Sequence, residues 1–585
     1  MALRAALLLT VLGLVSCRKR APDAPGPRAD HPVQITTDEG VDLYPDFSPD
    51  GTRLVYSSNR SGKFELYIRT LSGSTPELQL TSDGHQNFQP RWAPDGKRIA
   101  YHAKQRGGIW IVPSAGGAPK SLADFGSRPT FSPDGEWVTF QSQNLVDFAA
   151  ISACAGPPST IWIVPSKGGP ARNVTVEGTP QGGHGHPVWS PDGRRIYFVS
   201  SEPKLSASEL WSIRADGTSP TKLLTEWRIY DPAVSPDGES IYFGGAFGDF
   251  RYGIWRLPLE RGTGRPIGPP VAFTSQGFTV ARSPALSPDG KRLIWSALST
   301  SGNLFSLPLS PTGEPSGPPR ALTQGSSRNT WPIFSPDASK IAFGRSEPGT
   351  NPDVWMMDAD GKNAVALTTN PAIDYVQDWF PGGTKLLIVS NRTKKFALWT
   401  LALPSRIETP LGLPPMDIGN PRLSPDGTRI AFNSKTNGIT INAWTMDLQS
   451  PSPKQLTFDR ELLGFPAWSP DGKLLAMQVK RGDDMHIALL ESGGGTPVQL
   501  TSDHGLTWPF SWSPDGDKIA FAGTRQNLWN VYWVSRSSRH QTKLTTNDSL
   551  TSYVRYPCWS PRGDSVVYEF GQTTGNLWAI NLPAR

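Results

Sequence analysis

A short turn signal, Phe47-Ser48-Pro49-Asp50-Gly51, returns along the chain at intervals of 39–58 residues. Ser-Pro-Asp-Gly is unchanged in the copies that begin at Ser48, Ser132, Ser190, Ser235, Ser287, Ser424, Ser469 and Ser513. Altered copies begin at Ala93, Ser335, Phe380 and Ser560. A period in the forties indicates a chain built by repeating one supersecondary unit. This repeat constrains the fold more than any other feature of the sequence.

Each repeat has the pattern of four short strands joined by turns. In the copy around Ser469, a short apolar run precedes the turn, and three further strand-like runs follow at 474–477, 485–490 and 498–501. In the turn itself, Pro presets φ, Asp can cap with its side chain and Gly tolerates positive φ. No segment has the period of a long amphipathic helix. We therefore predict an all-β fold of twelve four-stranded repeats.

Four-stranded antiparallel units of about 46 residues are typical of β-propeller blades. An array of immunoglobulin-like sandwiches would need roughly 100 residues per domain, which is twice the observed period. Twelve blades in a single ring would enclose a very wide channel. We therefore predict two six-bladed propellers.

The division of the chain between the two propellers has more than one solution. In a simple tandem, residues 31–325 form the first propeller and residues 326–585 the second. The chain, however, begins with a strand of the fourth type at 33–36 and ends with a strand of the third type at 577–582. In an alternative arrangement the N-terminal strand completes the last blade and the two rings interlock. Other blade numbers also stay open.

The repeat resembles that of the TolB propeller family. The shared pattern is P-x-[FW]-S-P-D-G-x-x-[IL]-[AV]-[FY]-x-S, followed by [IL]-[WY] and then Leu-Thr, and residues 57–62, 65–67 and 79–81 match it well. Related repeats occur in tricorn protease and in the propeller of dipeptidyl-peptidase-type enzymes. The resemblance extends from residue 31 to the end of the chain. It is specific for the fold and says little about function.

Residues 1–17 have the features of a bacterial lipoprotein signal peptide. One Arg precedes an apolar run too short to span a bilayer, and Leu14-Val15-Ser16-Cys17 resembles a lipobox. We therefore predict that Cys17 is lipidated, the alternative being an ordinary signal peptide that happens to contain Cys. Arg18 follows in place of the Asp that marks inner-membrane retention. This implies a lipid-anchored protein of the bacterial cell envelope, in the outer membrane and facing the periplasm.

Residues 18–30 are rich in Pro and polar, which predicts an extended tether between the lipid anchor and the propellers. Their basic cluster, Arg18 to Arg20, is either a solvated run or a contact with anionic lipid headgroups. The formal net charge of the whole chain is +6, and part of it lies in the leader and the tether. The repeats are therefore close to neutral and give no support for nucleic-acid binding, which needs a basic stripe.

The two cysteines beyond Cys17 are Cys154, in an insertion of the third repeat, and Cys558, in the first strand of the twelfth. A disulfide between them is chemically possible, but no spacing argues for it. For Cys558 we predict a small buried side chain within a strand.

The sequence contains none of the common catalytic motifs: no G-x-S-x-G, H-E-x-x-H, P-loop or Cys-x-x-Cys. We also expect no hydrolase domain beside the propellers. His184 and His186 form the one local histidine pair, and some propeller lyases that act on pectin fragments bind metal through histidines on related repeats. Two histidines are fewer than the three protein ligands of a catalytic metal site. We therefore predict no catalytic residues, no metal and no cofactor.

The loops that join each fourth strand to the next first strand gather at one mouth of a propeller channel. Aromatic residues with Arg and Asp on such loops are typical of binding hot spots, although aromatic residues also pack between blades. The loop residues of these types are Asp42, Tyr44, His85, Phe88, His184, His186, Trp227, Tyr230, Asp231, Phe278, Arg282, Trp331, Asp374, Tyr375, Phe465, Trp508, Tyr553 and Arg555.

Three functions are compatible with these features. The first is a non-enzymatic envelope lipoprotein that binds an envelope protein or peptide partner at a channel mouth. The second is a carbohydrate-active lyase or hydrolase with a metal site in a channel, for which His184 and His186 are the candidates. The third is an accessory propeller that gates a separate peptidase. The sequence does not identify the partner, and it favours the first function because it lacks a catalytic set.

Overall fold

The computed structural model describes residues 31–583, apart from residues 73–74, 144–158, 202–207, 247–251, 275–279, 348–349, 415, 417, 437–439, 459–462, 483 and 527. All of its regular secondary structure is β. Among the described residues there is no helix with the length and hydropathy that crossing a bilayer requires.

The strands of the N-terminal half are β1 (Val33–Gln34), β2 (Asp42–Phe47), β3 (Arg53–Ser58), β4 (Glu65–Thr70), β5 (Leu78–Gln79), β6 (Asn87–Trp92), β7 (Arg98–Ala103), β8 (Ile109–Pro113), β9 (Lys120–Ala123), β10 (Ser127–Phe131), β11 (Trp137–Gln141), β12 (Ile161–Pro165), β13 (Arg172–Asn173), β14 (Gly183–Trp189), β15 (Arg195–Ser201), β16 (Ser208–Arg214), β17 (Thr221–Val234), β18 (Ser240–Ala246), β19 (Gly253–Pro258), β20 (Val271–Ala272), β21 (Val280–Leu286), β22 (Arg292–Pro308) and β23 (Arg320–Ala321).

The strands of the C-terminal half are β24 (Arg328–Phe334), β25 (Lys340–Ser346), β26 (Asp353–Asp358), β27 (Val365–Ala366), β28 (Asp374–Trp379), β29 (Lys385–Ser390), β30 (Ala397–Ala402), β31 (Glu408–Pro410), β32 (Gly419–Leu423), β33 (Arg429–Thr436), β34 (Thr440–Asp447), β35 (Lys454–Gln455), β36 (Leu463–Trp468), β37 (Leu474–Arg481), β38 (Asp484–Glu491), β39 (Val498–Gln499), β40 (Thr507–Trp512), β41 (Lys518–Arg525), β42 (Leu528–Ser535), β43 (Gln541–Lys543), β44 (Ser552–Trp559) and β45 (Ser565–Asn581).

These strands form antiparallel four-stranded blades, as the repeat predicts, and the blades belong to two six-bladed propellers. In the first ring, blades one to three are β2–β5, β6–β9 and β10–β13. Blades four and five share the long strand β17, which pairs with β16 through its first part and with β18 through its last. In the second ring, blades one to five are β24–β27, β28–β31, β32–β35, β36–β39 and β40–β43.

The sixth blade of each ring is built from both halves of the chain. Strands β22 and β45 run antiparallel over their whole lengths, from the pair Arg292 and Asn581 to the pair Pro308 and Ser565. At one end, β21, β22, β45 and β1 complete the first ring. At the other end, β44, β45, β22 and β23 complete the second. In the simple tandem, with the first ring at residues 31–325 and the second at 326–585, each ring would contain only its own half of the chain. The pairings of β45 with β22 and β1 join the two halves and differ from that arrangement. The rings interlock through two shared strands.

The turn signal has the capping role that its residue types predict. In the first copy, the Ser48 hydroxyl donates to Asp50 Oδ1 at 2.5 Å and accepts from the Arg53 N–H at 2.9 Å. The Thr52 N–H also donates to Asp50 at 3.0 Å. The hydrogen bond from Ser48, followed by those from Thr52, lowers the pKa of Asp50 to about 2. Gly51 has a φ of 69°, a conformation that favours glycine.

Neighbouring blades pack through buried aliphatic and aromatic side chains, which form the core. Between the first two blades, Val55, Leu66 and Ile68 pack against Trp92 and Ile99. Cys558 is a free, buried thiol in the first strand of the last repeat, as predicted, and burial raises its pKa to about 11. Cys154, its predicted potential partner, lies outside the described residues.

Candidate binding sites in the two channels

Every blade has a β-bulge in its first strand, where the pairing register shifts. In ten blades the bulge contains the residue four positions before the first residue of the turn signal, and we call this the channel position. In the other two blades the residue at this position, Val376 or Pro509, stays paired and the bulge follows it. Its occupants are Tyr44, Gln89, Arg128, His186, Asp231 and Ser283 in the first ring, and Trp331, Val376, Asn420, Phe465, Pro509 and Tyr556 in the second. Ten of the twelve have positive φ, Val376 and Pro509 being the exceptions. Bulges re-aim side chains, and contacts made across intervening blades show that several of these side chains reach the channel.

In the first ring the channel positions form a polar network around Asp231. Arg128, from the third blade, forms an ion pair with Asp231 from the fifth, so their side chains meet across the fourth. His186 Nδ1 lies 2.9 Å from Asp231 Oδ1, and the Ser283 hydroxyl donates to Oδ2 at 2.8 Å. The Gln89 side-chain oxygen accepts from the Arg128 N–H at 2.8 Å. We call Arg128, His186, Asp231 and Ser283 the Asp231 cluster.

Burial and charge determine the protonation states in the Asp231 cluster. Burial alone would raise the pKa of Asp231, but the Arg128 guanidinium and the hydrogen bond from His186 hold it well below its usual range. Burial, followed by the nearby charge of Arg128, lowers the pKa of His186 to about 4. At neutral pH the cluster therefore contains a carboxylate, a guanidinium and a neutral imidazole. It fastens four blades of the ring together near the axis.

In the second ring the corresponding region is aromatic. Trp331 stacks on Tyr556 with ring centroids 4.6 Å apart, and both pack against Phe510, at 5.9 and 5.6 Å. Trp331 belongs to the first blade and Phe510 to the fifth, so this contact also crosses an intervening blade. The guanidinium of Arg422, from the third blade, lies 4.5 Å from the centroid of the Phe510 ring. The two channels thus differ in chemistry: an ion-paired cluster lies at the centre of the first, and an aromatic cluster with Arg422 against it lies in the second.

A second aromatic group of the same ring lies at the start of first and third strands, on the side of the loops that lead into each first strand. Phe465 stacks on Trp508 with ring centroids 5.7 Å apart, and Trp508 packs against Trp529 at 4.6 Å. All three side chains are half-buried. We call Phe465, Trp508 and Trp529 the aromatic platform.

Arg555 lies against this platform. The centroids of the Tyr553, Trp529 and Trp508 rings are 4.4, 4.9 and 5.1 Å from its guanidinium carbon. Glu569 lies directly opposite Arg555 in the adjacent strand. Glu569 instead accepts hydrogen bonds from Tyr553 at 2.8 Å, Thr330 at 3.0 Å and Arg328 at 3.2 Å.

The structure separates the predicted mouth residues by burial. Those that are buried are Asp42, Tyr44, Phe88, His184, Trp227, Tyr230, Asp231, Arg282, Asp374, Tyr553 and Arg555. Those that are half-buried are His85, His186, Trp331, Tyr375, Phe465 and Trp508. Phe278 and the predicted lipidation site Cys17 lie outside the described residues. The buried residues present little surface to a partner in this conformation, and most of them pack within or between blades, as Trp227 does between Phe243 and Trp255.

The histidine pair is divided between two environments. His184 is fully buried, with Nδ1 2.9 Å from the Thr175 hydroxyl and Nε2 2.7 Å from the Pro180 carbonyl oxygen. Because a carbonyl only accepts, Nε2 carries the proton and the Thr175 hydroxyl donates to Nδ1, which leaves His184 no free lone pair. His186 belongs to the Asp231 cluster. Among the described residues, no three His, Cys, Asp or Glu side chains form a group that could hold a metal ion.

Gln89, Arg128 and Ser283 in the first channel and Trp529 in the platform are not among the residues predicted from the sequence. A usable signal for the first three is their fixed distance of four residues from the turn signal. Trp529 gives no such signal, because it lies at the start of a third strand and not in a loop that leads into a first strand.

The family model of the TolB beta propeller domain matches residues 28–154 and 415–581 of this chain. An uncharacterised protein of Agrobacterium fabrum is 28% identical over 272 residues, which are 42% of this chain and 83% of that protein. The Tol-Pal system protein TolB of Anaeromyxobacter dehalogenans is 31% identical over 131 residues, but these are only 22% of this chain and 30% of that protein.

Among solved structures, TolB from Acinetobacter baumannii is similar over 54% of this chain and 65% of its own, with 20% identity and a TM-score of 0.28. The family match covers half of the chain, and it includes both the first repeats and the last ones. Strand β1 of the first region pairs with β45 of the second in the sixth blade of the first ring. The chain belongs to the TolB beta propeller domain family.

Proposed function

We propose that this protein is a non-enzymatic lipoprotein of the bacterial envelope that binds a protein or peptide partner at the mouth of the second channel. The single observation that carries the proposal is the aromatic platform of Phe465, Trp508 and Trp529. Phe465 stacks on Trp508, Trp508 packs against Trp529 at an angle of 50°, and all three residues are half-buried, so each keeps part of its surface exposed to solvent. Partly exposed aromatic residues beside an Arg are the composition of binding hot spots.

The envelope location rests on the N-terminal sequence and on the relatives. Residues 14–17 have the lipobox pattern, so Cys17 is the proposed lipidation site. One similar protein is named as a Tol-Pal system protein, which supports a role beside other envelope proteins. The anchor and the tether would hold both rings in the periplasm against the outer membrane. Replacing Cys17 with Ser should release the protein from the membrane fraction.

Capture of a partner from envelope extracts tests the proposed binding site. The full chain should retain a partner, and Trp529→Ala should lose it. Trp355→Ala is the matched control, because Trp355 is also half-buried in the second ring beneath an Arg, with the Arg345 guanidinium 4.7 Å from its ring centroid. Loss of the partner in both variants, or in neither, would place the binding site elsewhere.

A further inference from the structure

Arg555 is a buried cation with two guanidinium nitrogens that make no hydrogen bond within the described part of the chain. The residue is 2% exposed. Its Nε and Nη2 atoms are sealed from solvent and have no hydrogen-bond partner among the described residues. A buried charge without a partner is costly. Three aromatic rings surround the guanidinium at 4.4–5.1 Å, and cation–π contacts return only part of that cost.

The fold contains an acceptor close by, but other groups occupy it. Glu569 pairs with Arg555 in strand register, yet its two oxygens accept from Tyr553, Thr330 and Arg328. One carboxylate therefore lies near two guanidinium groups, and it pairs with Arg328 and not with Arg555. Two guanidinium groups and one carboxylate leave one positive charge unbalanced. The Nε and Nη2 atoms of Arg555 can donate hydrogen bonds to one further anion.

The corresponding position of the first ring shows a different solution. Arg282 lies five residues before its turn signal, as Arg555 does, and its guanidinium lies 4.4 Å from the Tyr230 ring, which is placed as Trp508 is. There the charge of Arg282 acts on Asp231 and helps to lower the pKa of that carboxyl. Asp231 stands at a channel position, where the fifth blade of the second ring has Pro509 instead. The second ring thus keeps the Arg and lacks that carboxylate.

We propose that Arg555 is a carboxylate-recognition site, filled by an acidic side chain or the C-terminal carboxylate of the peptide segment that docks on the aromatic platform. Trp508 and Trp529 form both the platform and the wall of the Arg555 site, so one segment can contact both. Their half-buried rings must change rotamer to admit the carboxylate, so binding is coupled to a rearrangement of these two side chains. A planar guanidinium can then make paired hydrogen bonds to a carboxylate.

This inference rests on the proposed function, and capture of peptides by the immobilised full chain tests both separately. The probes are three libraries of N-acetylated hexapeptides. The first has uncharged side chains and a free C-terminal carboxylate. The second has an amidated C-terminus and one Glu or Asp, and the third has an amidated C-terminus and no acidic residue. We expect preferential retention of one or both carboxylate-bearing libraries, and which of them is retained identifies the source of the carboxylate. Arg555→Met should weaken that retention about 10- to 100-fold, the usual effect of losing charge-assisted hydrogen bonds.

Two further variants separate recognition from folding. Arg555→Lys keeps the charge but not the paired geometry, so its retention should be intermediate. Arg525→Met is the matched control, since Arg525 also lies over a ring, at 5.4 Å from Tyr532, but already pairs with Asp503 at 3.1 Å. Arg555→Met should fold as the native chain does, because it replaces an unpaired buried charge with an apolar side chain of similar length.

Equal retention of all three libraries, or unchanged retention by Arg555→Met, would overturn the carboxylate site and leave the proposed function standing. Retention of no library, together with an empty envelope capture, would overturn both. Crystals soaked in sodium bromide provide a direct readout, since bromide should bind against Arg555. Bromide at this position without any preference for carboxylates would mean an adventitious ion only, and it would also overturn the inference.

Discussion

The interlocked topology predicts that a substitution near the C-terminus destabilises the N-terminal blade. Leu577 is fully buried, and the residues around it are Phe47, Leu54, Tyr56, Tyr67, Ala285 and Ile294, all of them in the first half of the chain. Leu577→Ala removes carbon atoms worth about 2 kcal/mol of transfer free energy. The cavity that remains raises the expected cost to about 3 kcal/mol.

Hydrogen exchange measured by mass spectrometry can locate this loss within the chain. A local cost of about 3 kcal/mol corresponds to a roughly 100-fold rise in the opening equilibrium. We expect faster exchange in peptides from β2, β3 and β4 and from β21. Leu401→Ala is the control, because Leu401 is equally buried but its cluster lies wholly within the second ring.

Leu401→Ala should therefore leave β2–β4 unchanged. If Leu577→Ala changed exchange only in β40–β45 and left the first blade protected, the strand exchange between the rings would be wrong. A cut of the chain into two independent propellers would predict that result.

Three further predictions concern single buried groups. Asp231→Asn should lower the free energy of unfolding by about 3–5 kcal/mol, because it leaves Arg128 without its buried charged partner. Thermal unfolding measures this loss, with Asn420→Ala, at a channel position of the second ring, as the control variant. Stability should fall as the pH falls from about 6.5 towards 4, since the pKa of His186 is about 4 in the folded protein and the unfolded chain takes up the proton first. Burial also lowers the pKa of His102 to about 4, so His186→Gln should reduce the slope of this part of the stability profile without abolishing it. An unchanged slope would contradict the assigned neutral imidazole. The double variant Cys17→Ser, Cys154→Ser leaves Cys558 as the one cysteine. Cys558 should then react with a maleimide only as fast as the protein unfolds, because burial raises its pKa to about 11 and keeps the reagent from the thiol. Rapid labelling of the folded chain would refute this.

The blade could be predicted from the sequence because its information is local and repeated. Pro49, Asp50 and Gly51 specify one turn through φ preferences and a single capping side chain, and twelve copies make the signal unmistakable. The interlock could not be settled in this way. It depends on the pairing of β22 with β45, which are far apart in sequence. The strand types at 33–36 and 577–582 are compatible with the interlocked arrangement but do not exclude the simple tandem.

The candidate site could be predicted only in part, because a loop position does not determine burial. Trp227 and Trp508 both come from segments that lead into a first strand. Trp227 is enclosed by Phe243 and Trp255 of its own sheet, whereas Trp508 leans on Trp529 at the surface. Which of the two is exposed follows from the neighbouring strands, and a single sequence does not display those contacts.

Site-specific photo-cross-linking tests the central claim, binding at the second channel, most directly. A photoreactive phenylalanine analogue at Phe465 would lie within the aromatic platform, and the same analogue at His85, also half-buried, would lie in the corresponding type of loop of the first ring. We expect envelope extracts to give a specific cross-linked partner from position 465 and none from position 85. Cross-links from position 85 alone would place the binding site in the first ring and contradict it.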